Sequence, residues 1–425
     1  MPEPQPGRLL AERRHAHDVV VVSGGLAAAV GSRGAFTSRS LGRQPVVSTP
    51  GAWQDESVTL ELDARGSLGD ALARGATLPS SWYRDEEVLE HERERIFESG
   101  WQYAGRAELV AEPGRYFTCF AGHVPILVVR DQSGSLNAFV NVCRHRAHLV
   151  AEGVGKRETL QCPYHAWTYG LDGCLRTAPR SDREADFDPS EFALLPVQVE
   201  TWGPLVFVNP DVAAPSFADT FPGLLSLVEG SGVDVSMLQF RAQREWESAV
   251  NWKLGVENYL ECYHCPTAHP SFSRIVDVDR DSYQLLAFER YSSQLAPVRP
   301  SALANPEGLR YDPNGAVTQA QFHFLWPNTA FNIEPGPTNF AVMSWRPLAP
   351  RLTHGQYEYF FGPEVTEAEA EAVLEFSREV GSEDRVLVES VQRGLDSRML
   401  RHGRLLGESE QLIAHFQRLV HDSLA

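Results

Sequence analysis

The stretch Asn251–Pro270, NWKLGVENYLECYHCPTAHP, sets two imidazoles, His264 and His269, five positions apart, with the carboxylate of Glu261 three residues before the first. A helical reading of its middle puts Glu257, Glu261 and His264 on one face. Pro266 then ends that helix and lets His269 turn back toward the same point. Two neutral imidazoles and one carboxylate on facial positions suit a ferrous ion that must keep sites open for oxygen, with the carboxylate supplied from elsewhere in the chain. The same residues have plainer readings. His264 and His269 can be ordinary helix-end histidines, and Cys262-x-x-Cys265 can be a pair for zinc or redox work, although no second CxxC completes a four-thiolate zinc site.

A second constellation is more specific. Cys143-Arg-His145 and Cys162-Pro-Tyr-His165 are separated by sixteen residues, so each of two loops offers one thiolate and one imidazole. In a Rieske [2Fe–2S] centre two cysteines hold one iron and two histidines the other, and the neutral imidazoles raise the potential above that of an all-cysteine cluster. A structural zinc ion is the rival reading, but zinc fingers pair like ligands at other spacings. His148 reads as a loop histidine.

These residues need elements to hold them. From Trp101 to about Val208, short β-branched and aromatic runs alternate with glycine and proline, the texture of a small antiparallel β domain. Before it, Asp85–Phe97 reads as a helix with Val88, Leu89 and Ile96 on its apolar side. Near the C-terminus, a helix is expected to start after a turn at Gly381 with Ser382 as its N-cap, placing Asp384, Leu387, Val388, Val391 and Leu395 on one stripe. An acid on that stripe is either paired or metal-bound, or it faces the positive end of the helix dipole.

Composition bounds the class. The chain has 425 residues, 43% hydrophobic, with Asp+Glu 56 against Lys+Arg 38 and a net charge of −18. That balance argues against a nucleic-acid groove or an anionic membrane surface as partner. No apolar run reaches the length of a membrane span. Six cysteines in a chain this long do not make a disulfide framework, so a cytoplasmic setting is expected. Residues 1–50 carry six arginines against three acids among scattered Gly, Ser and Pro, and residues 1–77 are expected to be a disordered or loosely attached extension, with folding starting at Leu78. No dinucleotide fingerprint, phosphate loop or G-x-S-x-G elbow is present.

The chain resembles the oxygenase component (α subunit) of the Rieske non-haem iron oxygenases from about Trp82 to Leu424. The marks are CRHRAHLV at 143–150, CPYHAWTYGLDGCL at 162–175, GPLVFVN at 203–209, the 251–270 stretch and EDRVLVESVQRGL at 383–395. The resemblance implies an α+β fold: a small antiparallel β Rieske domain, 101–212, inserted in a larger catalytic domain built from 78–100 and 213–425, with an antiparallel sheet and helices. It implies Cys143, His145, Cys162 and His165 as cluster ligands. His264, His269 and Asp384 become the ligands of a mononuclear Fe(II), with O2 as co-substrate. Glu261 becomes the bridge carrying electrons to a neighbouring subunit, hence a homotrimer or a multiple of three. Electrons come from an NAD(P)H-dependent reductase, directly or through a ferredoxin. Ala147 departs from the glycine of many relatives, which touches the loop shape and no ligand.

Substrate is read from one more segment, QFHFLWPNTAFNIEPGPTN at 321–339, where Phe322, Phe324, Trp326 and Phe331 precede Glu334. Aromatic faces with a carboxylate suit an ammonium group, yet Phe322, Phe324 and Trp326 alternate at period two and equally suit a core strand. ENYLECYHC is most similar to the choline, carnitine and glycine-betaine monooxygenase branch, so hydroxylation or N-demethylation of a small quaternary or tertiary amine is expected. The alternatives are oxygenation or O-demethylation of aromatic acids, and a Rieske electron carrier without oxygen chemistry.

Overall fold

The computed structural model describes residues 64–425, and the expectations for residues 1–63 lie outside the described residues. Folded structure begins upstream of Leu78. A helix spans Ala64–Ala73 and buries Leu72, and Ala76 bridges to Arg404. The Leu78 N–H then donates to Gln417 Oε1 at 3.0 Å, tying this start to the C-terminal helix Gln411–Leu424.

Two seven-stranded antiparallel sheets carry the architecture. The first orders its strands as Gln102–Arg106, Leu205–Asn209, Pro196–Trp202, Leu136–Val140, Val124–Arg130, Arg115–Ala121 and Val154–Lys156. Ile126, Val128, Val206 and Val208 fill one of its cores with side chains from alternate positions. Gly122 closes the tight turn between two of these strands at φ 56°, where a Cβ would collide with Phe97. The other face of the same sheet, through Tyr116, Leu127, Val129 and Phe139, shares a second core with a three-stranded sheet of Leu160–Gln161, Thr168–Tyr169 and Leu175–Thr177.

The second sheet runs Gln239–Ser248, Leu352–Phe361, Asn339–Ala349, Thr329–Ile333, Gln319–Leu325, Tyr291–Pro297 and Gln284–Ala287. Apart from its first strand it is a meander of neighbours in sequence. Phe322, Phe324 and Trp326 face a core shared with the helices, whereas Leu325, Phe331 and Ile333 face the opposite core with Trp101 and Phe207. The period-two pattern of the sequence is therefore the pleat of a strand covered on both faces. Glu358 joins the sheets by accepting from Tyr103 at 2.6 Å and pairing with Arg106 at 2.8 Å.

Helices cover the second sheet. Asn251 caps the helix Trp252–Tyr259 by accepting from the Lys253 N–H at 3.1 Å. Trp252 donates to Glu92 Oε2 at 2.7 Å, and Lys253 forms a fully buried ion pair with Glu92 while donating to Trp82 O at 2.9 Å. A charge withdrawn from water persists only with such partners, so this pair locks the 78–100 segment to the helix. The longest helix, Glu367–Asp396, begins with a capping box in which Thr366 and Glu369 satisfy each other's backbone N–H. It runs unbroken through Gly381 and Ser382, correcting the expected N-cap at Ser382. Leu387 and Val391, expected on an apolar stripe, are exposed; Val388 is buried. Among the described residues no helix is long and apolar enough to cross a membrane.

Candidate active site

The two Cys/His loops are near copies of one another. Cys143 O accepts from the Ala147 N–H at 3.0 Å and Cys162 O from the Ala166 N–H at 3.1 Å. Ala147 and Ala166, each four residues after its cysteine, take left-handed φ values of 56° and 58°. The result buries both thiols and leaves both imidazoles exposed, with His145 and His165 ring centroids 4.5 Å apart. Such a set, sulfur inside and nitrogen at the surface, fits a two-iron cluster whose histidine iron faces outward. Two side chains that sequence reasoning missed support it. Tyr169 Oη lies 3.3 Å from Cys143 Sγ and accepts from the Arg144 N–H at 3.0 Å. Burial and the neighbouring Cys143 thiol hold the Tyr169 hydroxyl above its ordinary range. Trp167 stacks on His145 at 5.0 Å and 9°.

Local structure around the histidine pair differs from the sequence reading. The Trp252–Tyr259 helix stops before Glu261, and Pro266 opens the next short helix, Cys265–Ala268. Glu257 consequently points away from the histidines, accepting from Tyr83 at 2.6 Å and from Gln417 at 2.8 Å, and burial pushes its carboxyl up to about 7. Cys262 and Cys265 are joined by a disulfide that closes the loop carrying His264, where the composition argued against disulfides.

Even so, the structure brings His264, His269 and Asp384 together, their ligand atoms lying within 4.8 Å of one another. His264 Nε2 and His269 Nε2 are 3.1 Å apart, and Asp384 Oδ1 is 3.5 Å from the first and 2.9 Å from the second. Each imidazole is aimed from behind. Glu261 Oε1 accepts from His264 Nδ1, and Glu383 Oε2 accepts from His269 Nδ1 at 2.7 Å. With both δ nitrogens engaged by carboxylates, both rings are oriented so that their ε nitrogens meet at a common point. Asn258 adds a hydrogen bond to Asp384 Oδ1 at 2.7 Å. Burial alone would raise the Asp384 carboxyl, but the hydrogen bonds from His264 and His269 hold it down to about 2. Two nitrogens and one carboxylate oxygen converging from a loop and a facing helix make the donor set for a hard-to-borderline divalent ion with open positions. Glu383 and Asn258 had no signal beyond their proximity in sequence to Asp384 and Glu261.

Beside the triad lies a cavity of about 100 Å³. Of the five candidate pocket residues, Phe322 and Glu334 line it. The other three do not. Phe324 and Trp326 pack against Phe416 of the C-terminal helix, and Phe331 packs against Trp202 and Phe340. Of the remaining aromatic wall, Tyr259 comes from the 251–270 stretch, and Phe272, Tyr283, Tyr357 and Phe376 come from segments that sequence reasoning left unassigned. Among the described residues no lysine or arginine lines this cavity. An adjoining space of about 260 Å³ shares Asn258, Tyr357 and Asp384 with it and carries Arg244, Arg378 and Arg385.

The chain also matches known proteins. Residues 100–201 match the Rieske [2Fe-2S] domain, and residues 236–425 match the ring hydroxylating alpha subunit (catalytic domain). The carnitine monooxygenase oxygenase subunit of Acinetobacter baumannii is 36% identical, over 81% of this chain and 94% of that protein. The chloroplastic choline monooxygenase of Beta vulgaris is 35% identical, over 87% of this chain and 80% of that protein. Among solved structures, the quaternary ammonium Rieske monooxygenase CntA in complex with its substrate L-carnitine superposes with a TM-score of 0.70 at 33% identity, covering 82% of this chain and 96% of that one.

Proposed function

The chain belongs to the Rieske non-haem iron oxygenases as an oxygenase α subunit, an iron-dependent oxidoreductase with a [2Fe–2S] cluster and a mononuclear iron, and we propose that it oxidises a small quaternary or tertiary amine. The observation that carries this reading is the cavity at the His264–His269–Asp384 triad, walled by aromatic rings and by carboxylates, with no lysine or arginine of the described residues in its lining. An ammonium group is attracted to both kinds of wall. Relatives that act on carnitine and choline support the same class.

Cys143 and Cys162 from within and His145 and His165 at the surface would hold the cluster, and His264, His269 and Asp384 the iron. When bound, the iron activates O2 for attack on a C–H bond next to nitrogen. The chain's part is positioning. Glu261 and Glu383 orient the imidazoles, Asn258 steadies Asp384, and the aromatic wall excludes water around the bound amine. The domain boundaries set out above, 101–212 for the cluster domain and 213–425 for the main catalytic part, belong to this reading.

Glu261 has a second role in it. With the cluster histidines exposed at one surface and Glu261 seated on His264, a neighbouring subunit's cluster would reach the iron through Glu261, in a cyclic assembly of three or a multiple of three. A reductase supplies the electrons, with or without a ferredoxin, in the cytoplasm. For comparison, the solved CntA work concerns carnitine oxidation and inter-subunit electron transfer in that protein.

The test is a single-turnover screen of holoenzyme with the cluster reduced, offered choline, L-carnitine, glycine betaine, proline betaine, vanillate or phthalate. Oxidation of an ammonium compound, abolished by His264→Ala with the cluster spectrum intact, is the expected result. Turnover confined to vanillate or phthalate would reject the amine reading.

A further inference from the structure

Three carboxylates line the cavity, and two of them have partners. Glu261 accepts from His264, and Asp384 accepts from His269 and Asn258. Glu334 is different: its Oε2 is shut off from solvent and accepts no hydrogen bond. A carboxylate withdrawn from water without a partner is costly, and burial pushes this one up to about 8.

Its placement is nevertheless enforced. Glu334 follows the strand Thr329–Ile333, and Asn339 grips its backbone on both sides, accepting from the Glu334 N–H at 3.0 Å and donating to the Glu334 carbonyl at 2.8 Å. The polar groups nearby are engaged with each other. Tyr259 donates to Asn332 Oδ1 at 2.7 Å, Tyr283 donates to Gln294 Oε1 at 3.2 Å, and Tyr357 accepts from Asn332 at 3.0 Å. What these tyrosines leave for a ligand is ring surface. Among the described residues, Tyr311 Oη is another buried oxygen without a partner, close enough to Glu334 to feel its charge, and it lies outside the cavity wall.

The geometry points to Glu334 as the anionic counter-ion of the substrate's ammonium group and the residue that selects a charged substrate over a neutral one of the same shape. This rests on the amine-oxygenase reading and adds to it the residue that reads charge. A quaternary nitrogen has no N–H to donate, so its recognition is Coulombic and needs a desolvated carboxylate with no competing donor. That describes Glu334. The rings of Tyr259, Tyr283 and Phe322 supply the apolar and cation–π contacts for the alkyl groups around the nitrogen. The step is binding alone; no bond changes at Glu334.

The experiment compares choline, L-carnitine and glycine betaine with their carbon isosteres, in which carbon replaces the quaternary nitrogen (3,3-dimethylbutan-1-ol for choline). All are measured on iron- and cluster-loaded enzyme. In the wild type, the ammonium compounds are oxidised and the isosteres bind weakly. Glu334→Gln should raise KM for the ammonium substrate about 30-fold with kcat held within a few-fold, and should erase the preference over the isostere. Glu334→Asp should keep part of that preference. In the absence of ligand, Glu334→Gln should melt no lower than the wild type, because the carboxyl it replaces has a buried oxygen without a hydrogen-bond partner.

Ammonium selectivity that survives Glu334→Gln would overturn the assignment alone. So would a lower melting point shared equally by Glu334→Gln and Tyr311→Phe with selectivity intact, since that outcome gives Glu334 a structural role with Tyr311. A wild-type enzyme that oxidises none of the three ammonium compounds would instead overturn the amine reading on which the assignment rests.

Discussion

His269 Nδ1 and Glu383 Oε2 lie 2.7 Å apart, and the next residue along the same helix, Asp384, reaches His269 Nε2 at 2.9 Å. One helical turn thus holds a single imidazole from both ends. Glu383→Gln should keep the fold but weaken iron retention roughly 10- to 100-fold, as loss of a carboxylate behind a metal-binding histidine does. Iron content after dialysis against a graded chelator reads this directly, and unchanged retention would show that Glu383 does not orient the ring.

The hydrogen bond between Tyr169 Oη and Cys143 Sγ should stabilise the reduced, more negative cluster. Removing a hydrogen bond to a charged acceptor of about 1.5 kcal/mol corresponds to roughly 60 mV for a one-electron couple. Tyr169→Phe is expected to lower the cluster potential by about that amount with cluster content unchanged. A redox titration followed by cluster absorbance decides it, and a potential that stays put would remove Tyr169 from the tuning.

Ala147 holds a φ of 56°, where a side chain costs about 1 kcal/mol or more. Ala147→Gly should leave cluster content unchanged and stability equal or slightly raised. Ala147→Val should lose cluster, because a β-branched residue tolerates this conformation least. Equal cluster occupancy in both variants would mean that the loop geometry is not set at this position.

Glu334 gives a pH dependence whose sign is fixed. With its carboxyl pushed up to about 8, it is protonated and neutral below that pH in the free enzyme and charged above it. KM for a cationic substrate should therefore fall as pH rises toward 8. Stability should move the other way: between the ordinary carboxyl value of 4.5 and about 8 the folded state binds the extra proton, so Glu334 contributes a loss of stability with rising pH. The groups facing it are Tyr259, Tyr283, Tyr311 and Tyr359, all held above their ordinary range by burial, and Glu261, His264, His269 and Asp384 across the cavity. The difference between wild type and Glu334→Gln isolates Glu334 from these. A KM profile identical in both would show that its titration does not reach the substrate.

Ligand chemistry was legible in the sequence because it is local. Cys143-x-His145, Cys162-x-x-His165 and the His264/His269 spacing each sit within a few residues, and short loops can deliver them only to one place. Asp384 needed the family resemblance, since an acid 115 residues from His269 carries no spacing information. Helix limits were misread where local rules compete with packing. A mid-helix glycine costs about 1 kcal/mol, and Gly381 is carried inside a 30-residue helix anchored by the Thr366 cap and by the buried Phe376 and Val388 on either side of it. Glu257 shows the same competition: its helical phase matched that of His264, but the chain left the helix after Tyr259, and Tyr83 and Gln417 claimed its carboxylate.

The alternation of Phe322, Phe324 and Trp326 determined that these residues share one face of a strand. Which of them meets the cavity was decided by tertiary structure, because the C-terminal helix covers Phe324 and Trp326 through Phe416 and leaves Phe322 beside Phe272 and Tyr259. The sequence by itself determined the two Cys/His pairs and the histidine pair, since these are properties of residue type and short spacing, whereas Asp384 was brought to the histidines only by the fold. The cavity and the unpartnered Glu334 carboxylate within it were decided only by the fold, since side chains from separate strands and helices meet there through long-range packing that no local pattern encodes.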